Sequence, residues 1–283
     1  MTELGRAAGR VTVALSPLSV ELDWAAATDI GRRRAHNEDS FLAESPIFAV
    51  ADGMGGHSAG DVASAAVVAR LLECTGTGIG TGTDTDTDTG GYTDADAILP
   101  ALRAATADIA LADDLRNLGV GTTVTGIALT RLGDDPVWTI FNIGDSRVYL
   151  FERGELRRVT VDHSVVQELI DAGMISAAEA ETHPKRNVIT RAVGFNAEPF
   201  ADLWTLPVRA GMRLLMCSDG LTREVNDDRL RRHLSAGLDP ASTVFALIDA
   251  ALAAGGNDNI TVVIVDVVDT FGANELADTL PRR

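Results

Sequence analysis

Four apolar stretches of this chain each lead to or from an aspartate in a sharp turn. In Phe48–Gly60, FAVADGMGGHSAG, a run of Phe48, Ala49, Val50 and Ala51 stops at Asp52, and Gly53, Gly55 and Gly56 follow. Leu214–Gly220, LLMCSDG, stops at Asp219 before a glycine. Phe141–Arg147, FNIGDSR, carries Asp145 in a tight turn. Gly255–Ile260, GGNDNI, puts Asp258 and Asn259 just before a last apolar run. A strand that ends on a carboxylate sets an anionic oxygen at the rim of a sheet, and glycine lets the backbone approach whatever lies there. If paired sheets bring these rims together, Asp52, Asp219, Asp258 and Asp145 share one cleft. So many carboxylates stay ionised side by side only with cations, because like charges raise one another's pKa. Ligands that are all oxygen select a hard ion such as Mg2+ or Mn2+, and no Cys/His spacing of a zinc site occurs. Aspartate also caps helices and favours turns, so the pattern alone leaves solvated caps and a cation site both open.

Periodicity orders the rest of the chain. Residues 1–18 read as a loosely ordered tail. Val11–Val20 faintly resembles a secretory apolar segment, but Ser16 and Pro17 interrupt it and no cleavage site follows. Strands are expected over Val20–Thr28 and Phe41–Asp52, the latter broken by Pro46. Helices are expected over Ala59–Glu73 and Asp94–Leu118. Between them Thr75–Thr93 is a Thr/Gly/Asp-rich repeat; its aspartates mimic a calcium loop, but Thr89 and Ala95 stand where that loop needs Gly and Glu, so a flexible insertion is expected. Strands follow over Thr122–Thr130, Pro136–Ile143, Arg147–Phe151 and Leu156–Thr160, then two short helices, Ser164–Ala172 and Ser176–Thr182. Val188–Val193, Phe200–Leu206 and Met212–Ser218 read as strands, Asp227–Leu234 and Ala241–Ala254 as helices, Ile260–Asp269 as a final strand, and residues 270–283 as a tail. Hairpins interleaved with paired helices predict stacked antiparallel sheets covered by helices, in one domain over residues 19–269.

Of 283 residues, 24 are basic and 41 acidic, a net charge of −17. No Lys/Arg cluster forms the basic face a nucleic-acid binder needs. No apolar run reaches the ~20 residues of a membrane helix. Two cysteines, Cys74 and Cys217, cannot make a disulfide framework, which points to a reducing, cytoplasmic setting. No Gly-Lys-Ser/Thr phosphate loop is present.

Taken in order, RRRAHNEDSF (Arg32–Phe41), VADGMGGHSAGDVAS (Val50–Ser64), GTTVTG (Gly121–Gly126), NIGDSRVYL (Asn142–Leu150), VDHSVVQELIDAG (Val161–Gly173), HPKRNVITRAVG (His183–Gly194), LLMCSDGL (Leu214–Leu221) and GGNDNITVVIV (Gly255–Val265) resemble the motifs of the type 2C metal-dependent (PPM) protein serine/threonine phosphatases in their bacterial form. Eight motifs in family order, over roughly residues 25–268, make the resemblance specific. It implies an α+β fold: a four-layer α-β-β-α sandwich, two central, mainly antiparallel sheets flanked by helix pairs. It implies two or three Mn2+ or Mg2+ ions. Asp52 would bridge two of them, with the Gly53 carbonyl as a further ligand. Asp219 and Asp258 would hold the second, Glu38 would act through water, and Asp145 with Asp219 would take a third. Arg34, four residues before Glu38, would grip the substrate phosphate. Asn259 would bind substrate, and Asp39, Thr122 and Thr123 would support the site.

The activity implied is hydrolysis of phosphoserine and phosphothreonine in proteins, by in-line attack of a hydroxide bridging two cations ~3.5–4 Å apart. The partners would be phosphoproteins and a bacterial Ser/Thr kinase whose action the enzyme opposes. A dedicated phosphatase of one partner-switching regulator, a catalytically weak scaffold and a small-phosphoester hydrolase are the competing readings. One departure stands out: Met54 follows the Asp-Gly, where many eukaryotic members have a histidine that can protonate the leaving alkoxide. Water on a metal ion is then the expected acid. His57 is expected to be structural or exposed, and His163 and His183 to order a loop. Asp162–Asn187 would form a flap beside the cleft, with Lys185 and Arg186 able to steer a phosphoprotein.

Overall fold

The computed structural model describes residues 1–15, 18–55, 59–76, 91–116, 120–195 and 198–272. Two sheets stack face to face. In the first, β1 (Thr2–Gly5), β4 (Asp39–Glu44), β5 (Ile47–Met54), β7 (Val124–Leu132), β8 (Asp135–Ile143) and β11 (Asp202–Pro207) lie in that order, with β6 (Gly121–Thr122) also paired to β5. In the second the order is β10 (Glu155–Arg158), β9 (Arg147–Glu152), β12 (Arg213–Cys217), β13 (Ile260–Gly272), β3 (Leu18–Asp29) and β2 (Ala8–Leu15). Every pairing is antiparallel except β1 on β4.

The apolar runs of the sequence are continuous because the central strands are buried on both faces. Along β5, Phe48 and Val50 point into the layer between the sheets, whereas Ile47, Ala49 and Ala51 point at the helices outside. Along β13, Val263, Val265 and Val267 face inward and Ile260, Val262 and Ile264 face the opposite helices. Helices α1 (Gly60–Leu72) and α2 (Ile98–Arg116) cover the first sheet, packing Val67, Leu71, Ile98, Leu102 and Ile109 on it. Helices α6 (Asp227–Leu234) and α7 (Pro240–Ala254) cover the second through Leu230, Leu234, Leu247 and Ala251. Three apolar layers therefore separate four layers of structure. Between the sheets, Trp24 meets Phe48 edge to face at 5.4 Å.

The amino-terminal tail expected over residues 1–18 is instead built into both sheets: β1 extends the first and β2 the second. The cause is visible in Val11, Val13 and Leu15, which alternate and bury Val13 and Leu15 between the sheets. Val188–Val193 does not form the expected strand; it bends at Thr190 and makes isolated bridges from Ile189 to Ser164 and from Val193 to Thr122. The last strand runs on to Gly272 rather than stopping at Asp269. Most of the Thr/Gly/Asp-rich insertion, 77–90, lies outside the described residues, as do 273–283. The short end of that insertion is anchored: the Thr93 N–H donates to the Leu129 carbonyl, and the Arg131 guanidinium stacks on Tyr92 at 5.6 Å. Two further helices, α3 (Val165–Asp171) and α4 (Ala177–Thr182), make up the flap region and bury only Ala180. A single turn, α5 (Asp219–Thr222), follows β12.

Candidate active site

The strand ends meet at one edge of the sandwich. Asp39 on β4 is paired with Asp52 on β5. The Asp52 backbone is held by the two threonines of the next strand pair. Its N–H donates to Thr123 Oγ1 at 3.0 Å, and its carbonyl accepts from Thr122 Oγ1 and the Thr123 N–H, both at 2.9 Å. The Thr123 hydroxyl also shares a hydrogen bond with the Ser146 hydroxyl, 2.8 Å between the oxygens. Ser146 lies in the Gly144-Asp145-Ser146 turn, where the chain crosses from the first sheet to the second. Thr261, on the second sheet, donates to Asp39 Oδ2 at 2.6 Å. Polar rungs thus tie the sheets together beside the acidic edge.

Close backbone approach explains two glycines. A Cβ on Gly53 would fall on the Gly60 carbonyl at the start of α1, so strand and helix can meet here only through glycine. A Cβ on Gly220 would fall on the Asn259 carbonyl and come within 3.4 Å of Asp258 Cβ. That contact sets the Asp219 and Asp258 turns side by side. Arg34 Nη2 donates to Asp258 Oδ2 at 2.7 Å from a half-exposed position, and Arg223 reaches three carboxylates: Asp219, Asp145 at 3.8 Å and Asp258 at 3.4 Å.

The charges act on one another. Burial pushes the Asp52 carboxyl well above the usual carboxylate range, and the charges of Asp39, Asp219, Asp145 and Asp258 push it further. Asp219 is raised well above that range by burial and then by Asp145, against the pull of Arg223. Asp145 is also raised, mainly by burial. Burial lifts Asp39 to about 6, although Thr261 and Ser218 hydrogen bonds oppose it. Glu38 is raised by burial, opposed by the Gly60 N–H.

Asp39 Oδ1 and Asp219 Oδ1 are buried with no hydrogen-bond partner among the described residues. Unsatisfied anionic oxygens in a buried site are costly unless something positive meets them. These donors are all oxygen and fit Mn2+ or Mg2+. The side chains are not drawn round one point: among the described residues no three His, Cys, Asp or Glu form a closed ligand group. The two arginine forks, Arg34 and Arg223, stand among them instead.

Other expected residues sit as follows. Asn259 differs from its expected substrate contact. Its Oδ1 accepts from the Glu38 N–H at 2.9 Å, and its Nδ2 donates to the Ile30 and His36 carbonyls at 2.9 and 3.0 Å. With the whole amide spent on backbone, Asn259 clips the 30–38 loop to the Asp258 turn and positions Arg34 and Glu38. His163 Nδ1 accepts from the Gly144 N–H at 3.1 Å, so its proton lies on Nε2, 3.2 Å from Asp202 Oδ2. Burial lowers this imidazole below the usual range. His163 therefore holds the Asp145 turn rather than facing the cleft. His183 Nδ1 accepts from the Lys185 N–H at 3.2 Å, beside the end of α4. His57 lies outside the described residues. Arg223 was not anticipated. Its signal is position: four residues after Asp219, it lies one helical turn along the same face.

The chain belongs to the bacterial PPM-type phosphatases, the family described as Protein phosphatase 2C, whose profile matches residues 31–254. It is 41% identical over 261 residues to the serine/threonine protein phosphatase PstP of Mycobacterium tuberculosis, covering 90% of this chain and 47% of that protein. The chain thus spans about half the length of that relative. The serine/threonine phosphatase stp of Listeria monocytogenes is 36% identical over 256 residues, 84% of this chain and 93% of that one. Among solved structures, the catalytic domain of PstP in complex with two manganese ions superposes with a TM-score of 0.73 at 39% identity, covering 88% of this chain and 99% of that one. No helix of the described residues is long and apolar enough to cross a membrane.

Proposed function

We propose that this chain is a metal-dependent protein phosphatase that hydrolyses phosphoserine and phosphothreonine in phosphoproteins, opposing a bacterial Ser/Thr kinase in the cytoplasm. The observation that carries the proposal is the gathering of Asp219, Asp145 and Asp258 around one guanidinium, beside Asp52, with an Asp219 oxygen buried and without a partner among the described residues. Family membership supports it, as does the buried pair Cys74 and Cys217, neither in a disulfide.

In this reading Asp52 and the Gly53 carbonyl would hold one ion, Asp52, Asp219 and Asp258 would hold a second, and Glu38 would act through water. When bound, the ions neutralise the phosphoryl oxygens and lower the pKa of water at the site. Arg34 supplies a planar fork that matches the phosphate, and its ion pair holds that fork beside Asp258 in a half-exposed position. Thr122 and Thr123 fix the Asp52 backbone, Asp39 buttresses it, and Asn259 fixes the Arg34 loop. Met54 has no proton to give and His163 is committed to Gly144, so the leaving oxygen takes its proton from water. Lys185 and Arg186, exposed on the flap beside α4, would meet the phosphoprotein.

Purified protein with Mn2+ should dephosphorylate a phosphothreonine peptide and lose that activity with chelator. An aryl phosphate cleaved while phosphopeptides and phosphoproteins stay untouched would contradict the protein-phosphatase reading. Arg34→Lys keeps the charge and loses the fork. Its kcat/KM on the peptide should fall about 10–100-fold, the ~1.5–3 kcal/mol of a charged hydrogen bond. An unchanged kcat/KM would remove Arg34 from phosphate binding.

A further inference from the structure

The Arg223 guanidinium lies among three carboxylates that come from three different turns, ion-paired with Asp219 and set 3.8 Å from Asp145 Oδ2 and 3.4 Å from Asp258 Oδ2. Chain geometry puts it there. Asp219 opens the single turn α5, and Arg223, its C-cap, folds back over the same face; its N–H donates to the Asp219 carbonyl at 2.9 Å. The side chain is about one-third exposed, so it enters from the rim. Its partners are unequal. Asp219 Oδ2 is taken by Arg223, while Asp219 Oδ1 is buried and has no partner among the described residues. No hydrogen bond or ion pair to Arg223 or Arg34 falls on Asp52. The same nitrogen, Arg223 Nη2, faces both Asp219 Oδ2 and Asp145 Oδ2, so the space between those two carboxylates already carries a positive charge.

We propose that Arg223 is a built-in cation that occupies the gap between Asp145 and Asp219, so that this chain binds two divalent ions and excludes a third. The inference rests on the reading that Asp52, Asp219 and Asp258 hold two ions. A guanidinium cannot be deprotonated in a protein, so it cannot yield its place by losing its charge. A divalent ion entering between Asp145 and Asp219 must push it outward and then sit beside it, like charge against like charge. Asp145 would then serve as the anchor of Arg223 rather than as an ion ligand. No bond is made or broken; the effect is one of occupancy.

The test counts ions without reference to turnover. Chelator-stripped full-length protein is titrated with Mn2+, and free Mn2+ is read from its paramagnetic resonance signal. Wild type should saturate at two ions. Arg223→Gln should bind a third, its affinity raised at least tenfold over any third ion of wild type, and adding Asp145→Asn should return the count to two. Arg223→Lys, which keeps the charge and is the safer variant for folding, should stay at two. Asp145→Asn alone removes a buried charge and should leave the wild-type count unchanged. A wild type that takes three ions with Arg223→Gln no different, or an Asp145→Asn protein that loses an ion, overturns the proposal. Fewer than two ions on wild type would instead sink the two-ion reading beneath it.

Discussion

Replacing Asp52 by asparagine should abolish phosphatase activity while raising the melting temperature of the chelated protein. The two effects have one cause. Asp52 is the carboxylate that burial and four like charges penalise most broadly, and among the described residues no guanidinium bonds to it. Asparagine keeps the shape and removes the charge, so the metal-free fold gains. The same change takes away the anionic ligand both ions would share, and kcat/KM on a phosphopeptide should fall at least about 10³-fold, or about 4 kcal/mol of barrier. The sign of the pH dependence follows from the raised folded-state pKa. The wild-type penalty is complete above that pKa, shrinks as pH falls through it, and is gone below the unfolded value of about 4. The stability gain of Asp52→Asn, measured by thermal melts with chelator, should therefore grow as pH rises and vanish in acid. A variant no more stable than wild type at pH 7.5 would show that Asp52 is not held among charges.

Gly220→Ala should be the most damaging small substitution near the cleft. The added methyl would land on the Asn259 carbonyl, a backbone atom that cannot rotate away. Overpacking costs about 1–3 kcal/mol where side chains can yield, so about 3 kcal/mol or more is expected here. Forcing the Asp219 and Asp258 turns apart should also weaken Mn2+ binding, about 10–100-fold if the loss resembles that of an orienting partner. Calorimetric melting and Mn2+ titration measure the two effects. A variant with wild-type ion affinity would mean that the packing of these turns does not set the site.

What could be read in advance follows from how local each signal is. FAVAD and LLMCSD announce strand ends on carboxylates because an apolar run and a turn residue are adjacent in the chain. Helix α1 and strand β13 were legible for the same reason. The N-terminal strands were missed because Val11, Val13 and Leu15 alternate over a short span that Ser16 and Pro17 cut off. Their burial depends on β3 being alongside. The 188–193 segment has the apolar texture of a strand but finds only single bridging partners in Ser164 and Thr122. Asn259 could not be placed by local reading, since its partners Ile30, His36 and Glu38 lie more than two hundred residues away. Arg223 belongs to a one-turn helix, too short for any periodicity to mark.

Crystals grown with Mn2+ and measured at the manganese absorption edge test the central claim most directly. The account predicts two anomalous peaks within bonding distance of Asp52, Asp219 and Asp258, with the Gly53 carbonyl facing one of them. Peaks elsewhere, or no manganese between these carboxylates at saturating Mn2+, would contradict it.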